Sequence, residues 1–250
     1  MRPLILCIQQ AQILHFTVSL SLGEPIDPRV RLAILLRFLA GGAVLDLMMI
    51  YCLSKSEIYK SIWRGVDAIN KAIEVVFPLN DPEKLALLER EFRGRSPFPG
   101  WIGQVAAADG CHFRIRNPGK EVENGQQYHV DRKKCSALLV TALCDIHRCF
   151  LFWEFNVEPR THDSQAWALS ELGLAIEAGK LDSQYFINGD AAYVLGPQMI
   201  VPVGSAKEAD FDYVQSANRV CIECAFGVSA LSSLVTSSLS VSTLSFLFLM

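Results

Sequence analysis

Two short apolar runs in the sequence each end in an aspartate that could bind a cation. Tyr185-Phe186-Ile187 is followed by Asn188-Gly189, a turn signal, and then by Asp190. Residues 104–110, QVAAADG, end in the same way at Asp109-Gly110. Both patterns predict buried strands whose ends deliver a carboxylate into open space. Because Mg²⁺ prefers oxygen ligands and usually takes one or two carboxylates, the two aspartates predict part of a divalent metal site.

A third carboxylate, Glu223, lies in a segment whose periodicity predicts a helix near residues 210–226. The polar stripe of this helix consists of Asp212, Ser216, Arg219 and Glu223, and the apolar stripe of Val214, Ala217, Cys221 and Ala225. Glu223 could therefore complete the metal site. Alternatively, it could pair only with Arg219 as an i, i+4 contact on the surface.

Asp163 is a further candidate, in the element His162-Asp163-Ser164 just before a predicted helix. An aspartate in this position commonly caps a helix by accepting a backbone N–H. The alternative is an auxiliary carboxylate beside the metal ions, and the residues alone leave both interpretations open.

Taken in order, these motifs resemble the DDE superfamily endonucleases of the PIF/Harbinger transposase type. That family has a first Asp in a D-G strand end, an H-D-S element and a second Asp in G-D-x-x-Y. The corresponding residues here are Asp109, Asp163 and Asp190. The family glutamate lies in R-x-x-x-E-x-A-F-G, which is present from Arg219 to Gly227 with Glu223 as the acid.

The resemblance implies a metal-dependent DNA endonuclease that hydrolyses phosphodiesters and transfers strands. Two Mg²⁺ or Mn²⁺ ions about 3.5–4 Å apart would stabilise the attacking and leaving oxygens. Asp109 would bridge the ions, Asp190 would complete one and Glu223 the other, with Asp163 as an auxiliary ligand. DNA is then the expected partner and the nucleus the expected location, with the cytoplasm as the alternative. A separate DNA-binding partner protein and a homodimer are compatible with this function.

A second hypothesis is a binding protein, a catalytically decayed or domesticated copy that keeps the fold and binds DNA or protein. The end of the sequence favours it, because the family's glutamate helix continues into a basic segment that is missing here. Residues 228–250 instead form a Ser/Leu-rich tail without charge, so we expect a truncated gene copy. Serine recurs throughout this tail, which argues against a membrane span, and we expect no membrane association.

Basic residues are few, and two groups of them are candidates for binding DNA. Arg132-Lys133-Lys134 matches an R-K-G position of the family, with Lys134 in place of the glycine. Lys55 and Lys60 lie on a predicted helix, where they could contact phosphates. The alternatives are a solvated hairpin tip for the first group and a solvated helix face for the second.

The composition describes a chain that buries a substantial core. Of its 250 residues 51% are hydrophobic and 20% are charged. The net charge is −3 and the pI about 6.0, which excludes a wholly basic nucleic-acid binder but not a local basic patch. The eight cysteines show no framework spacing, so we expect reduced thiols rather than disulfides.

The pattern along the chain predicts an α/β fold in four segments. Residues 1–26 are an apolar leader, 27–95 a helix-turn-helix-like helical domain, 96–227 the catalytic domain and 228–250 the tail. Helices are predicted at 29–39, 43–51, 54–76, 82–94, 164–178 and 210–226, and strands at 102–108, 112–116, 136–144, 150–156, 185–188 and 199–203. The resemblance, which covers about residues 29–227, implies a ribonuclease H-like mixed sheet in which the first strand is central and lies beside the strand that carries the second aspartate.

Overall fold

The computed structural model describes part of the chain, residues 26–72, 75–115, 117, 125–130, 133–155 and 157–235. These residues form two compact units, one of residues 26–72 and 231–235 and the other of residues 75–230. The predicted leader, apart from Ile26, and residues 236–250 of the predicted tail lie outside the described residues. No helix in the described part of the chain is long and apolar enough to cross a membrane.

The first unit contains three helices close to the predicted ones, α1 (Pro28–Leu39), α2 (Val44–Tyr51) and α3 (Lys55–Ala72). The Asp27 carboxylate accepts the Arg29 N–H at 2.7 Å and so caps the start of α1. Helix α3 buries one apolar face, formed by Ile58, Ile62, Val66 and Ile69. Its predicted continuation to Val76 is wrong, because α3 ends at Ala72 and Val76 is 65% exposed.

Helix α4 (Pro82–Arg95) belongs to the second unit. It packs on the first strand of the sheet and buries Leu85, Leu88 and Phe92. The division between the units therefore precedes α4, whereas the sequence pattern groups this helix with the helical domain that ends at residue 95. Helix α4 belongs to the second unit because the sheet covers its apolar face. The assignment of domains by function stays a prediction.

The second unit is built on a mixed sheet. Its strands are β1 (Gln104–Arg114), β2 (His129–Val130), β3 (Cys135–Cys144), β4 (Phe150–Glu154), β5 (Phe186–Asn188) and β6 (Met199–Ile200). They follow the order β2-β3-β1-β5-β6, and β4 also pairs with β3. Strand β1 runs antiparallel to β3 and parallel to β5, so it is central, as the resemblance implies. Three further α-helices contribute to this unit: α5 (Asp163–Leu169), α6 (Glu171–Glu177) and α7 (Ala209–Val235), the last of these up to residue 230.

Two predicted divisions inside this unit are wrong, and the strands predicted at 150–156 and 199–203 end earlier, at Glu154 and Ile200. The strands predicted at 102–108 and 112–116 are one strand, β1, because Gly110 is extended and pairs with Thr141 of β3. The helix predicted at 164–178 is two helices, because Ser170 adopts an extended backbone between them. The Ser170 hydroxyl accepts the Gly173 N–H at 3.0 Å, which caps α6.

Helix α7 buries only part of the predicted apolar stripe. Cys221 and Ala225 are buried as predicted, Val214 is half-buried and Ala217 is exposed. The buried face also includes residues outside the stripe, which recur at spacings of three and four: Gln215, Asn218, Ile222 and Phe226. The predicted stripe is incomplete because two amides also lie on the face towards the sheet. α7 also extends beyond its predicted end at residue 226, as far as Val235.

Candidate metal centre

The parallel pairing of β1 with β5 brings Asp109 and Asp190 to the same level on adjacent segments. Ala107 and Asn188 are register partners, and each aspartate follows two residues later in its own segment. Asp190 comes after the end of β5, as predicted, and its Oδ1 accepts the Ala192 N–H at 2.9 Å. Asp109 does not lie at a strand end, because β1 continues past it and Asp109 pairs with Ala142 of β3.

Asp109 is a strongly perturbed acid. Its side chain is 19% exposed, and its Oδ1 accepts the Gly110 N–H at 2.8 Å. Burial raises the pKa of Asp109 to about 6, with further increases from Asp190 and Asp163, while the Gly110 N–H and Arg219 act in the opposite direction. The Asp163 carboxylate fits against Gly110, next to Asp109, and Asp190 raises the pKa of both Asp109 and Asp163, so we call Asp109, Asp163 and Asp190 the aspartate cluster.

Asp163 fits into this cluster because Gly110 has no side chain and leaves space for the Asp163 carboxylate. It is the first residue of α5, and the N-cap position belongs to His162. A Cβ on Gly110 would overlap the Asp163 carboxylate, so a glycine is needed at this point of β1. Burial raises the pKa of Asp163, as does Asp190, whereas His112, His162 and Lys133 lower it. The role of Asp163 as a metal ligand stays a prediction.

The turn before α5 is held by a histidine on β1. His112 Nε2 lies 2.7 Å from the Pro159 carbonyl oxygen, a hydrogen bond in which the ring N–H donates. This contact ties the 158–161 turn to the strand that carries Asp109. His112 therefore positions Asp163 indirectly.

Two buried amides join the end of β5 to α7, and we call Asn188 and Gln215 the amide clasp. Both side chains are fully buried. Asn188 Nδ2 donates to the Gln215 carbonyl oxygen at 2.9 Å, and Gln215 Nε2 donates to Asn188 Oδ1 at 2.6 Å and to the Gly189 carbonyl oxygen at 2.5 Å. The clasp thus fixes the backbone that leads into Asp190 against the helix that carries Glu223. The sequence pattern does not predict the amide clasp. Its only signal is the glutamine Gln215 on α7, and the structure shows that this residue lies on the face towards the sheet.

Glu223 makes an ion pair instead of joining the aspartate cluster. Arg219 Nη2 bonds to Glu223 Oε1 at 2.5 Å, and Arg219 Nη1 lies 3.8 Å from Asp109 Oδ2. The side chain of Glu223 is 49% exposed. The second of the two interpretations of Glu223, the i, i+4 pair with Arg219, is therefore confirmed as a contact. Within the described ranges, no group of three or more His, Cys, Asp or Glu side chains forms a ready-made metal site.

Tyr193, which is 4% exposed, forms an inner wall of the site. Its ring contacts the edge of Trp167 at a centroid distance of 6.3 Å. Burial raises the pKa of Tyr193 well above its ordinary value, and Asp109, Asp163 and Asp190 all raise it further. The hydroxyl therefore lies near all three carboxylates, yet it makes no hydrogen bond to a described residue.

The part of the sequence that contains these acids is similar to a known protein family. Residues 108–231 match the sequence model of the DDE superfamily endonuclease family. The match indicates a transposase-like nuclease function, and it spans all four candidate acids and the amide clasp. Searches of the curated proteins and of the solved structures give no match.

Some of the basic candidates lie inside the region that matches the DDE endonuclease family, and others lie outside it. Lys133 and Lys134 lie inside it and are exposed, and Lys133 is near enough to the site to lower the pKa of both Asp163 and Cys111. Lys134 has a φ of 48°, in the left-handed region that favours the glycine found there in the family resemblance. Arg132 lies outside the described residues.

Lys55 and Lys60 lie outside the match, on α3 of the first unit. Both are exposed, and Lys60 pairs with Glu57 at 2.8 Å. The cysteines in the described part of the chain are all free thiols, as expected.

Proposed function

We propose that this chain is a divalent-metal-dependent DNA endonuclease of the PIF/Harbinger transposase type, acting in the nucleus. The observation that carries the proposal is the aspartate cluster: Asp109 and Asp190 come from adjacent parallel segments of a region that matches the DDE endonucleases. The central position of β1, antiparallel to β3 and parallel to β5, supports a ribonuclease H-like catalytic domain. The helical residues 26–72 would serve as the helix-turn-helix-like DNA-binding part.

The donor set suits a hard cation. The cluster offers carboxylate oxygens, which Mg²⁺ and Mn²⁺ prefer, and it contains no soft ligand that would select another metal. Arg219 already brings a positive charge to within 3.8 Å of Asp109, which supports a cation site at this acid. Asp109 and Asp190 would hold the metal, with Asp163 and Glu223 as further ligands. When bound, the metal would stabilise charge on the phosphodiester oxygens and lower the pKa of the attacking water.

The protein's own residues would prepare this chemistry. The Gly110 N–H fixes one oxygen of Asp109, and the Ala192 N–H fixes one oxygen of Asp190, which would leave the other oxygen of each acid for the metal. The amide clasp keeps β5 and α7 in register. Lys133 adds positive charge at the edge of the cluster, where a DNA phosphate would otherwise be repelled by the acids.

Nicking of supercoiled plasmid DNA tests this function. We expect nicking with Mg²⁺ or Mn²⁺, its loss on addition of a chelator, and its loss in Asp190→Asn. Asp182→Asn is the matched control, because Asp182 is exposed and lies in the turn before β5. Nicking that survives in Asp190→Asn, or that needs no metal, would rule the function out.

The second candidate is the copy that keeps the fold and has lost catalysis. One observation favours it: Glu223 is engaged by Arg219. Such a protein would bind DNA, or a protein partner, without cleaving DNA. Retention of plasmid in a gel-shift assay, without nicking at any Mg²⁺ or Mn²⁺ concentration, would decide for this candidate.

A further inference from the structure

Arg219 contacts two of the candidate metal ligands at once. One nitrogen of its guanidinium bonds to Glu223 at 2.5 Å, and another lies 3.8 Å from Asp109. The Arg219 side chain is only 16% exposed, so its charge is partly withdrawn from water and acts strongly on both acids. The planar fork of arginine suits this bridging role, whereas a lysine ammonium is a single point charge.

The position of Arg219 is set by the packing of α7. Gln215, Arg219 and Glu223 follow at intervals of four residues along one side of the helix. The amide clasp anchors Gln215 to the end of β5. One turn later, Arg219 therefore reaches Asp109 on the neighbouring strand, and Glu223 lies a further turn away on the more exposed side.

The contacts around Asp109 bring acids and one cation together. The Asp163 carboxylate fits against Gly110, the residue after Asp109, and Arg219 Nη1 lies 3.8 Å from Asp109 Oδ2. Among these groups Arg219 is the one that makes ion pairs with both Asp109 and Glu223, which are the bridging ligand and the last ligand of the proposed metal site.

We propose that Arg219 is a positioning residue that takes the place of a cation in the metal-free protein. It neutralises Asp109 and holds Glu223 away from the aspartate cluster, and a divalent ion must displace it from Glu223 before this glutamate can join the site. Metal binding then exchanges the ion pair of Glu223 with Arg219 for one of Glu223 with the metal ion. This inference rests on the proposed function, since it requires that the cluster bind a metal.

Titration of the full chain with Mn²⁺, followed by calorimetry, tests the exchange without reference to activity. Arg219→Gln removes the competing charge, and we expect Mn²⁺ to bind on the order of tenfold more tightly because the cation no longer meets a positive charge at contact distance. Arg219→Lys keeps the positive charge but loses the planar guanidinium, so its affinity for Mn²⁺ should lie between that of the parent protein and that of Arg219→Gln. Arg93→Gln is the matched control, because Arg93 pairs with Glu89 at the same i, i+4 spacing on α4 and lies outside the cluster.

Thermal unfolding provides a second readout. Arg219→Gln should melt at a lower temperature than the parent protein in chelator, since the cluster loses its counter-charge, and Mn²⁺ should raise its Tm by more than it raises that of the parent. In a Glu223→Gln background the affinity gained from Arg219→Gln should shrink, because the released ligand is missing.

The outcomes separate the two proposals. If the parent protein binds Mn²⁺ and Arg219→Gln binds it equally or more weakly, Arg219 is not a competing cation and the exchange is wrong, while the proposed function stands. If neither protein binds Mn²⁺ at millimolar concentration, the metal site itself fails. An effect of equal size in Arg93→Gln would attribute the change to net charge and overturn the exchange.

Discussion

Replacing Asp109 by asparagine should stabilise the metal-free protein, although it removes a proposed catalytic group. Burial and neighbouring acids raise the pKa of Asp109 to about 6 from an ordinary 3.8, so the ionised carboxyl is less favourable in the folded protein than in the unfolded chain. This penalty is absent below about pH 4, grows as the pH rises and is complete above about pH 6. The two pKa values correspond to a cost of about 3 kcal/mol, of which we expect 1–3 kcal/mol to be recovered in the variant, roughly 2–10 °C in Tm.

The assay is thermal unfolding of both proteins from pH 4 to pH 8 in chelator, repeated with Mn²⁺. In chelator the curves should coincide near pH 4, and the variant should be the more stable protein above pH 6. With Mn²⁺ in excess the order should reverse, because the metal stabilises only the protein that binds it, by about 2.7 kcal/mol at a concentration of 100 Kd. Asp182→Asn, a change at an exposed acid, should show neither effect.

A variant that is less stable than the parent at pH 8 in chelator would refute this reasoning. It would mean that the Gly110 N–H and Arg219 together outweigh burial and the neighbouring acids. A stability gain that does not depend on pH would also refute it, since the effect would then come from packing rather than from ionisation.

Three further variants test the parts that position the site. Gln215→Leu leaves two buried acceptors of the amide clasp without a donor, so we expect a loss of about 2–4 kcal/mol in denaturant unfolding and a loss of nicking. Gly110→Ala forces the carboxylate of Asp163 to move, so metal-dependent nicking should fall by about tenfold or more while the fold loses about 1–3 kcal/mol. Tyr193→Phe removes a buried hydroxyl that has no partner among the described residues, so Tm should stay equal or rise by a few degrees.

Each of these variants has a matched control of the same residue type. Gln184→Leu changes an exposed glutamine and should stay within about 0.5 kcal/mol of the parent. Gly94→Ala changes a helical glycine whose Cβ would meet open space, so stability should hold or rise by about 0.5–1 kcal/mol. Tyr185→Phe changes another tyrosine of the same core. Equal effects in a variant and its control would refute the role assigned to that residue.

Strong periodicity in the sequence predicts most helices and strands of this protein. The run 136–144 is almost wholly apolar and forms β3, and the spacing of Ile58, Ile62 and Val66 predicts the buried face of α3. These segments succeed because one physical requirement, the burial of an apolar face, decides their structure. The carboxylates Asp109 and Asp190 could be found for a similar reason, since each follows a buried run.

The incorrect predictions have a different physical cause, because they concern residues whose contacts lie far away in the sequence. Gly110 was interpreted as the turn after a strand, but it is extended and is small because Asp163 needs its space, a contact between residues far apart in sequence. The pattern on α7 predicts the burial of Cys221 and Ala225 but not that of Gln215 and Asn218, because these two are polar and only their partners in the fold show how amides can be buried there. The pairing of Glu223 with Arg219 was foreseen as an alternative, and the choice depended on tertiary distances.

The most direct test of the metal centre is anomalous scattering from crystals of the full chain grown with Mn²⁺. We predict an anomalous peak between the carboxylates of Asp109 and Asp190, with Glu223 separated from Arg219. Absence of a peak there, at an Mn²⁺ concentration that supports nicking, or a peak bound by other residues, would contradict the account.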